Sequence, residues 1–272
     1  MWVSTVVQKR EYKPKSVSEF LGCLEEIQGK AQHSLWFRGI GALNYKLVPT
    51  LYRHPEIHRV EELLALEKQI MSRFRQRGLP YHTRDLRDDW DALFYMQHYG
   101  VPTRLLDWSE NPLTALYFAL MSAVRNMNGN KAKSAAVWTL DPAAWNKTAL
   151  DHLSYGGDPL TPGEDALKGY SADPTETRMA KYPVALLGAH NSARIVAQQG
   201  VFTIFGTEKT AMETLVKNGT FANSALSRIV ITGDRVLDMR RSLLNHGITE
   251  STIFPDLEGL AQETKRHFGF EV

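Results

Sequence analysis

Arg38, Asp107 and the pair Gln198-Gln199 are the residues whose type and setting could do chemistry. Arg38 closes the short run SLWFRGI, so a planar cation with five donors stands at the end of an apolar segment, where strand ends border clefts. Asp107 lies inside LLDWS, a carboxylate among apolar neighbours, and burying it would demand a partner, for which Arg104 and Arg38 are the candidates. Gln198 and Gln199 interrupt RIVAQQGVFTIF with two amides, able to satisfy backbone groups or to orient a ligand, and Arg194 lies just upstream. His98, in QHYG, suits a helix end whose carbonyls it could meet. The other histidines are scattered, with neither HExxH nor CxxC, so no metal site is expected.

These residues need elements to hold them. Ser16 to Gln28 sets Phe20, Leu21, Leu24 and Ile27 at helical spacing behind capping serines. A second helix runs from Val60 to Arg77 and a third through DDWDALFYMQHYG, with Asp88 or Asp89 near its start. TRLLDWS reads as a strand, after which Asn111-Pro112 opens a helix, PLTALYFALMSAV, apolar nearly all round and therefore buried. AAVWTL and SRIVITG read as strands, as does RIVAQQGVFTIF with its polar break. Helices at MRRSLLNHG and DLEGLAQETKRHF close the chain. Residues 151–181, rich in Gly, Pro, Asp and Thr, read as a long loop or lid. The expected fold is α+β, a helix-rich N-terminal half packed on a mixed, mainly antiparallel sheet, with residues 1–272 forming one domain.

Composition narrows the function classes. A net charge of +2, from 32 basic and 30 acidic residues, is not the strongly basic balance of a non-specific nucleic-acid binder. The single cysteine, Cys23, permits no internal disulfide and suits a reducing compartment. No stretch approaches about 18 uninterrupted apolar residues, and a cytoplasmic protein that does not span a membrane is expected.

Three segments carry a resemblance to a known family: WFRG at 36–39, QHYGVPTRLLDWSENPLTALYFA at 97–119 and STIFPDLEGLA at 251–261. They are similar to the FRG family, named for its Phe-Arg-Gly motif, and LVPTLYR and ARIVAQQGVFTIF look like family segments too. That resemblance implies a setting in bacteria, phages and mobile elements, often in proteins of defence or toxicity. The order of the motifs also resembles that of ADP-ribosyltransferases: an arginine ending an early strand, a Ser/Thr-bearing strand leading into a buried helix, and a late strand opening on an acidic or amide residue. The resemblance implies NAD as co-substrate and a macromolecular target, protein or nucleic acid, with a neutralising or regulatory partner protein. Arg38 then orients the dinucleotide, and Trp108, Ser109 or Tyr117 supplies a stacking face and a hydroxyl. Such enzymes usually place a glutamate where this chain has Gln198 and Gln199, and an amide brings no charge to a developing cation. Asp107 or Glu110 then supplies it. A phosphate-binding module using Arg38, Arg104 and Arg194, and a nuclease-like toxin using His98 and Asp107, are the alternatives.

Overall fold

Short segments whose bulky residues alternate between two faces build a six-stranded sheet in the computed structural model, which describes residues 11–31, 33–81, 85–127, 132–153, 155–171, 179–188 and 192–270. In chain order the elements are α1 (Val17–Gln28), β1 (Trp36–Ile40), α2 (Val60–Gly78), α3 (Asp89–His98), β2 (Leu105–Ser109), α4 (Pro112–Arg125), β3 (Ala135–Leu140) and α5 (Pro142–Ala149). They continue with β4 (Val184–Leu186), α6 (Ala193–Gln198), β5 (Gly200–Ile204), α7 (Met212–Lys217), β6 (Leu226–Ile231), α8 (Val236–Asn245), α9 (Glu250–Ile253) and α10 (Leu257–His267).

The strand order is β4-β5-β2-β1-β3-β6, and every strand pair is antiparallel. The fold is α+β as expected, with parallel pairing confined to isolated bridges rather than a mixed sheet. Strand alternation sends Phe37, Val137 and Ile229 to one face, where α1, α4 and α8 cover them. Trp36, Leu106 and Trp108 join the larger core on the other, with α2, α3, α5 and α7. Side-chain caps fix several helix starts: Ser16, Asp88, Asn111, Asp141, Ser192 and Asp256 each accept from a backbone N–H of the first turn.

Gly39 shows how tightly α4 lies on β1. A Cβ at that position would sit 1.9 Å from the Ala115 carbonyl oxygen and 2.6 Å from the Ala119 nitrogen, both backbone atoms that cannot step aside. Gly39→Ala must therefore lift the helix off the strand. We expect a loss of about 3 kcal/mol or more, measured by chemical denaturation, and stability equal to wild type would show that the helix is not clamped there.

Two expectations are corrected. The segment RIVAQQGVFTIF is not one strand: Ser192 caps α6, which ends at Gln198, Gln199 takes a left-handed conformation with φ 47°, and only then does β5 begin. The described part of 151–181 is built into the fold rather than lying over a site. Leu160 bridges to Leu186, Leu167 and Tyr170 are buried, and the Tyr170 hydroxyl donates to the Tyr182 carbonyl at 2.6 Å. Residues 154 and 172–178 of that stretch lie outside the described residues. No helix among the described residues is long and apolar enough to cross a membrane.

Candidate functional site

The sheet is open at its centre. Trp36 through Ile40 all pair with β3 and Leu105 through Ser109 all pair with β5, but between β1 and β2 only Phe37 and Ser109 are in register. Beyond that bridge the two strands part, and Arg38 and Asp107 stand at the parting. Arg38 spans the gap with its side chain: Nη1 donates to the Asp107 carbonyl oxygen and lies 3.7 Å from Asp107 Oδ2. A guanidinium thus replaces the backbone donor that a continuous ladder would have supplied.

A cleft of about 310 Å³ opens here, walled by α4, by α6 and by the end of α3. That volume is at the lower end of the range for ligand sites. Its polar lining includes Arg38, Gln97, His98, Asp107, Arg194 and Gln198, with Phe118 and Phe202 among the apolar groups. Asp107 is the one carboxylate among the described lining residues.

Asp107 is not immersed in apolar surroundings, as its neighbours in sequence suggested. Its side chain is 53% exposed, because β2 turns that position toward the cleft, and of the two proposed partners it has Arg38. Gln97 holds it from the other side: its amide donates to Asp107 Oδ2 at 2.8 Å, while its carbonyl accepts from the Thr103 hydroxyl at 2.5 Å. Thr103, Gln97, Asp107 and Arg38 form one polar chain that fixes the carboxylate in place. Burial pulls the Arg38 guanidinium below its usual pKa, Asp107 opposes that shift and Arg53 adds to it. An arginine so placed remains a cation at neutral pH.

The remaining sequence-assigned residues divide. Gln198 lines the cleft, and its amide donates to the Ile253 carbonyl at 3.1 Å, tying α6 to α9. Gln199 does not line it, since the left-handed turn at the end of α6 carries it past. Trp108 borders the cleft, yet it is 2% exposed and its indole N–H donates to Thr203 Oγ1, so it offers no free stacking face. The Ser109 hydroxyl is committed to the Gln198 carbonyl at 2.6 Å and accepts from the Asn111 N–H. Tyr117 is on the wrong side of α4 and lines a different depression, while Glu110 is exposed outside the cleft. Arg104 is removed from the phosphate-binding trio altogether, being 1% exposed and ion-paired with Glu67.

Gln97, which sequence reasoning left out, lines the cleft together with Arg194 and His98, which it named only for the alternative functions. Gln97 had a signal only in standing beside His98 at the head of the QHYGVPTRLLD segment. Arg194 reaches the cleft because α6 is a helix, and its guanidinium lies 4.6 Å from the centre of the Phe254 ring. The FPDLEG tail thereby backs the wall of the cleft rather than entering it. His98 also turns into the cleft, with Nδ1 3.4 Å from Ser192 Oγ.

Burial holds the His98 imidazole below its ordinary pKa of 6.5, Arg194 pushes it further and Asp256 partly offsets them. The unfolded chain therefore takes up this proton near the ordinary value, and the folded chain only at lower pH. Stability falls as pH drops through that window and is unaffected above it. In thermal melts from pH 8 to pH 5, His98→Gln should lose less stability than wild type, and parallel curves would rule the histidine out as the source. Among the described residues no group of three or more His, Cys, Asp or Glu side chains could hold a metal ion.

Comparison with known proteins now bears on the same residues. The family model described as the FRG domain matches residues 33–128, the stretch from just before β1 to the end of α4. No curated protein and no solved structure gives a significant match. The matched stretch supplies Arg38, Gln97, His98 and Asp107, whereas Arg194 and Gln198 come from beyond it. Residues 33–128 of this chain belong to the FRG domain family.

Proposed function

We propose that the cleft binds NAD and that the chain is an ADP-ribosyltransferase-like enzyme acting on a macromolecular target. One observation carries this reading. The three segments whose order resembles that of the transferases lie on adjacent strands, β5-β2-β1, and all three contribute to a single cleft. Arg38 and Arg194 both line the cleft, which supports a role for Arg38 in orienting a phosphate of the dinucleotide with Arg194 as a second cation. A cleft of this size encloses part of a dinucleotide and leaves the rest outside.

Chemistry at the nicotinamide–ribose bond moves that bond's electron pair onto nicotinamide and leaves positive charge on the ribose. A nucleophile of the target then supplies the new bond and gives up its proton. With Gln199 turned away and Gln198 neutral, the negative charge facing that cation is Asp107, which Gln97 holds in one orientation. The role of the missing glutamate thus shifts from the third segment to the second. His98, kept neutral by its surroundings, can accept the nucleophile's proton.

A setting in bacterial or phage defence or toxicity, and control by a neutralising partner, belong to the same proposal and rest on the family resemblance. The test is incubation of the protein with NAD and cell extract, followed by quantification of free nicotinamide and of labelled macromolecule. Release that depends on extract and labels a target is expected. If saturating NAD neither raises the melting temperature nor yields nicotinamide, the reading fails.

A further inference from the structure

Tyr117 belongs to the longest family-like segment, yet it has no part in the cleft. On α4, Thr114, Phe118 and Ser122 line the cleft, while Tyr117, Met121 and Arg125 stand around the helix and line a second depression of about 550 Å³. α8, the start of α9 and α10 complete its walls. Tyr117 is 3% exposed, and its hydroxyl has no hydrogen-bond partner among the described residues. The ring is enclosed, while the unpartnered oxygen is not sealed off and meets the depression, where it can donate to a ligand. Burial, with Glu250 next, raises its pKa, so the proton stays on the oxygen as a donor.

Among the described residues the charges around this hydroxyl are mostly positive. Arg125, Arg240, Lys265 and Arg266 line the depression, and among the described lining residues Glu250 is the one carboxylate. That carboxylate is already neutralised: Arg266 Nε donates to both its oxygens, at 3.0 and 2.9 Å, and Nη2 adds a third contact at 2.9 Å. Arg125 and Lys265 have no carboxylate partner among the described residues. Arg240 Nε lies 3.3 Å from Met121 Sδ, which holds its stem along the wall. At the rim Phe270 is 71% exposed and offers an aromatic face.

An unpartnered donor, the two cations Arg125 and Lys265 and an exposed ring match the parts of a nucleotide. We propose that this groove is a second ligand site, which takes the phosphates of a nucleotide on Arg125, Lys265 and the Tyr117 hydroxyl and its base on Phe270. The site is separated from the cleft by the width of α4 and does not depend on the cleft's chemistry.

The test is titration of the full chain with ADP and with adenosine, in wild type, in Tyr117→Phe and in Arg125→Ala/Lys265→Ala, each also carrying Arg38→Ala so that the cleft is disabled. Tyr117→Phe keeps the ring and its packing, so loss of folding does not confound it. In the Arg38→Ala background ADP should bind more than tenfold tighter than adenosine. Tyr117→Phe should weaken ADP about tenfold, and the double charge variant by more. Hydrogen exchange in wild type should slow across residues 257–270 on adding ADP. ADP binding that ignores these variants, or that disappears with Arg38→Ala alone, would place the nucleotide in the cleft and overturn the second site while leaving the cleft reading intact. Adenosine binding as tightly as ADP would overturn it as well.

Discussion

Glu67→Ala should destabilise the chain by about 3–5 kcal/mol, a fall in melting temperature on the order of 10 °C for a domain of this size. Glu67 is fully buried and Arg104 is 1% exposed, so removing the carboxylate leaves a guanidinium charge without compensation in the core. The contacts show what would be lost. Glu67 Oε2 accepts from Arg104 Nε at 2.7 Å and Oε1 from the Arg104 backbone N–H at 2.9 Å. The other guanidinium nitrogens donate to the Phe205 carbonyl at 3.2 Å and the Tyr170 carbonyl at 2.7 Å. Burial alone would lower the Arg104 pKa, but Glu67 and then Tyr52 overcome it and hold the group above its usual value. Removing Glu67 takes away the main group that holds it up and leaves burial pulling it down, but a guanidinium starts so far above neutrality that it keeps its charge, and the cost is not relieved by deprotonation.

The same pair reaches the site. Arg104 stands at the head of β2 and grips the end of β5 through Phe205, so it helps set the pairing that presents Asp107 opposite Phe202. It also anchors Tyr170, and with it the segment that composition alone made look like a lid. A double change to Glu67→Leu and Arg104→Met should recover part of the loss, because no charge is then stranded, but two carbonyls lose their donor. Denaturation of the two variants beside wild type measures both effects. Glu67→Ala within about 1 kcal/mol of wild type would mean that water reaches the guanidinium and that the pair is not the clamp described.

What could be read in the sequence was local. Asp88 and Asn111 cap α3 and α4 through side-chain oxygens, and the run that follows each has the composition of a buried helix, so these boundaries needed no tertiary information. The order of Arg38, Asp107 and the Gln198 region was legible for the same reason, and their strands are neighbours in the sheet. α6 was not legible. Its β-branched Ile195 and Val196 suit a strand, and it ends on Gln199 in a left-handed conformation where glycine would have marked the stop. Ser192 was the cue that pointed to a helix. β4 has only three residues and no periodicity to detect. Arg104 and Arg38 look alike in sequence, each beside an apolar run. Their fates part because Glu67, 37 residues before Arg104, packs against one of them, a fact that only the fold supplies. Tyr117 was misplaced because one residue along a helix changes face, and nothing in an all-apolar segment says which face meets a cleft.

Arg38→Ala should weaken NAD binding by roughly 30- to 150-fold, the loss of a charge-assisted contact of about 2–3 kcal/mol. Arg38 spends one nitrogen on the Asp107 carbonyl and keeps its remaining donors for a ligand, which is the arrangement a phosphate can meet with two parallel bonds. Lysine at 38 keeps the charge without the fork, so Arg38→Lys should recover only part of the affinity. The gap between the two variants separates geometry from charge. Lysine as good as arginine would reduce the residue to a point charge, and alanine as good as arginine would remove the dinucleotide from this cleft. Because the same guanidinium bridges β1 to β2, thermal stability must be followed beside affinity in isothermal titration. A variant that keeps its melting temperature and loses NAD has lost a ligand contact, whereas one that loses both has opened the sheet at its centre.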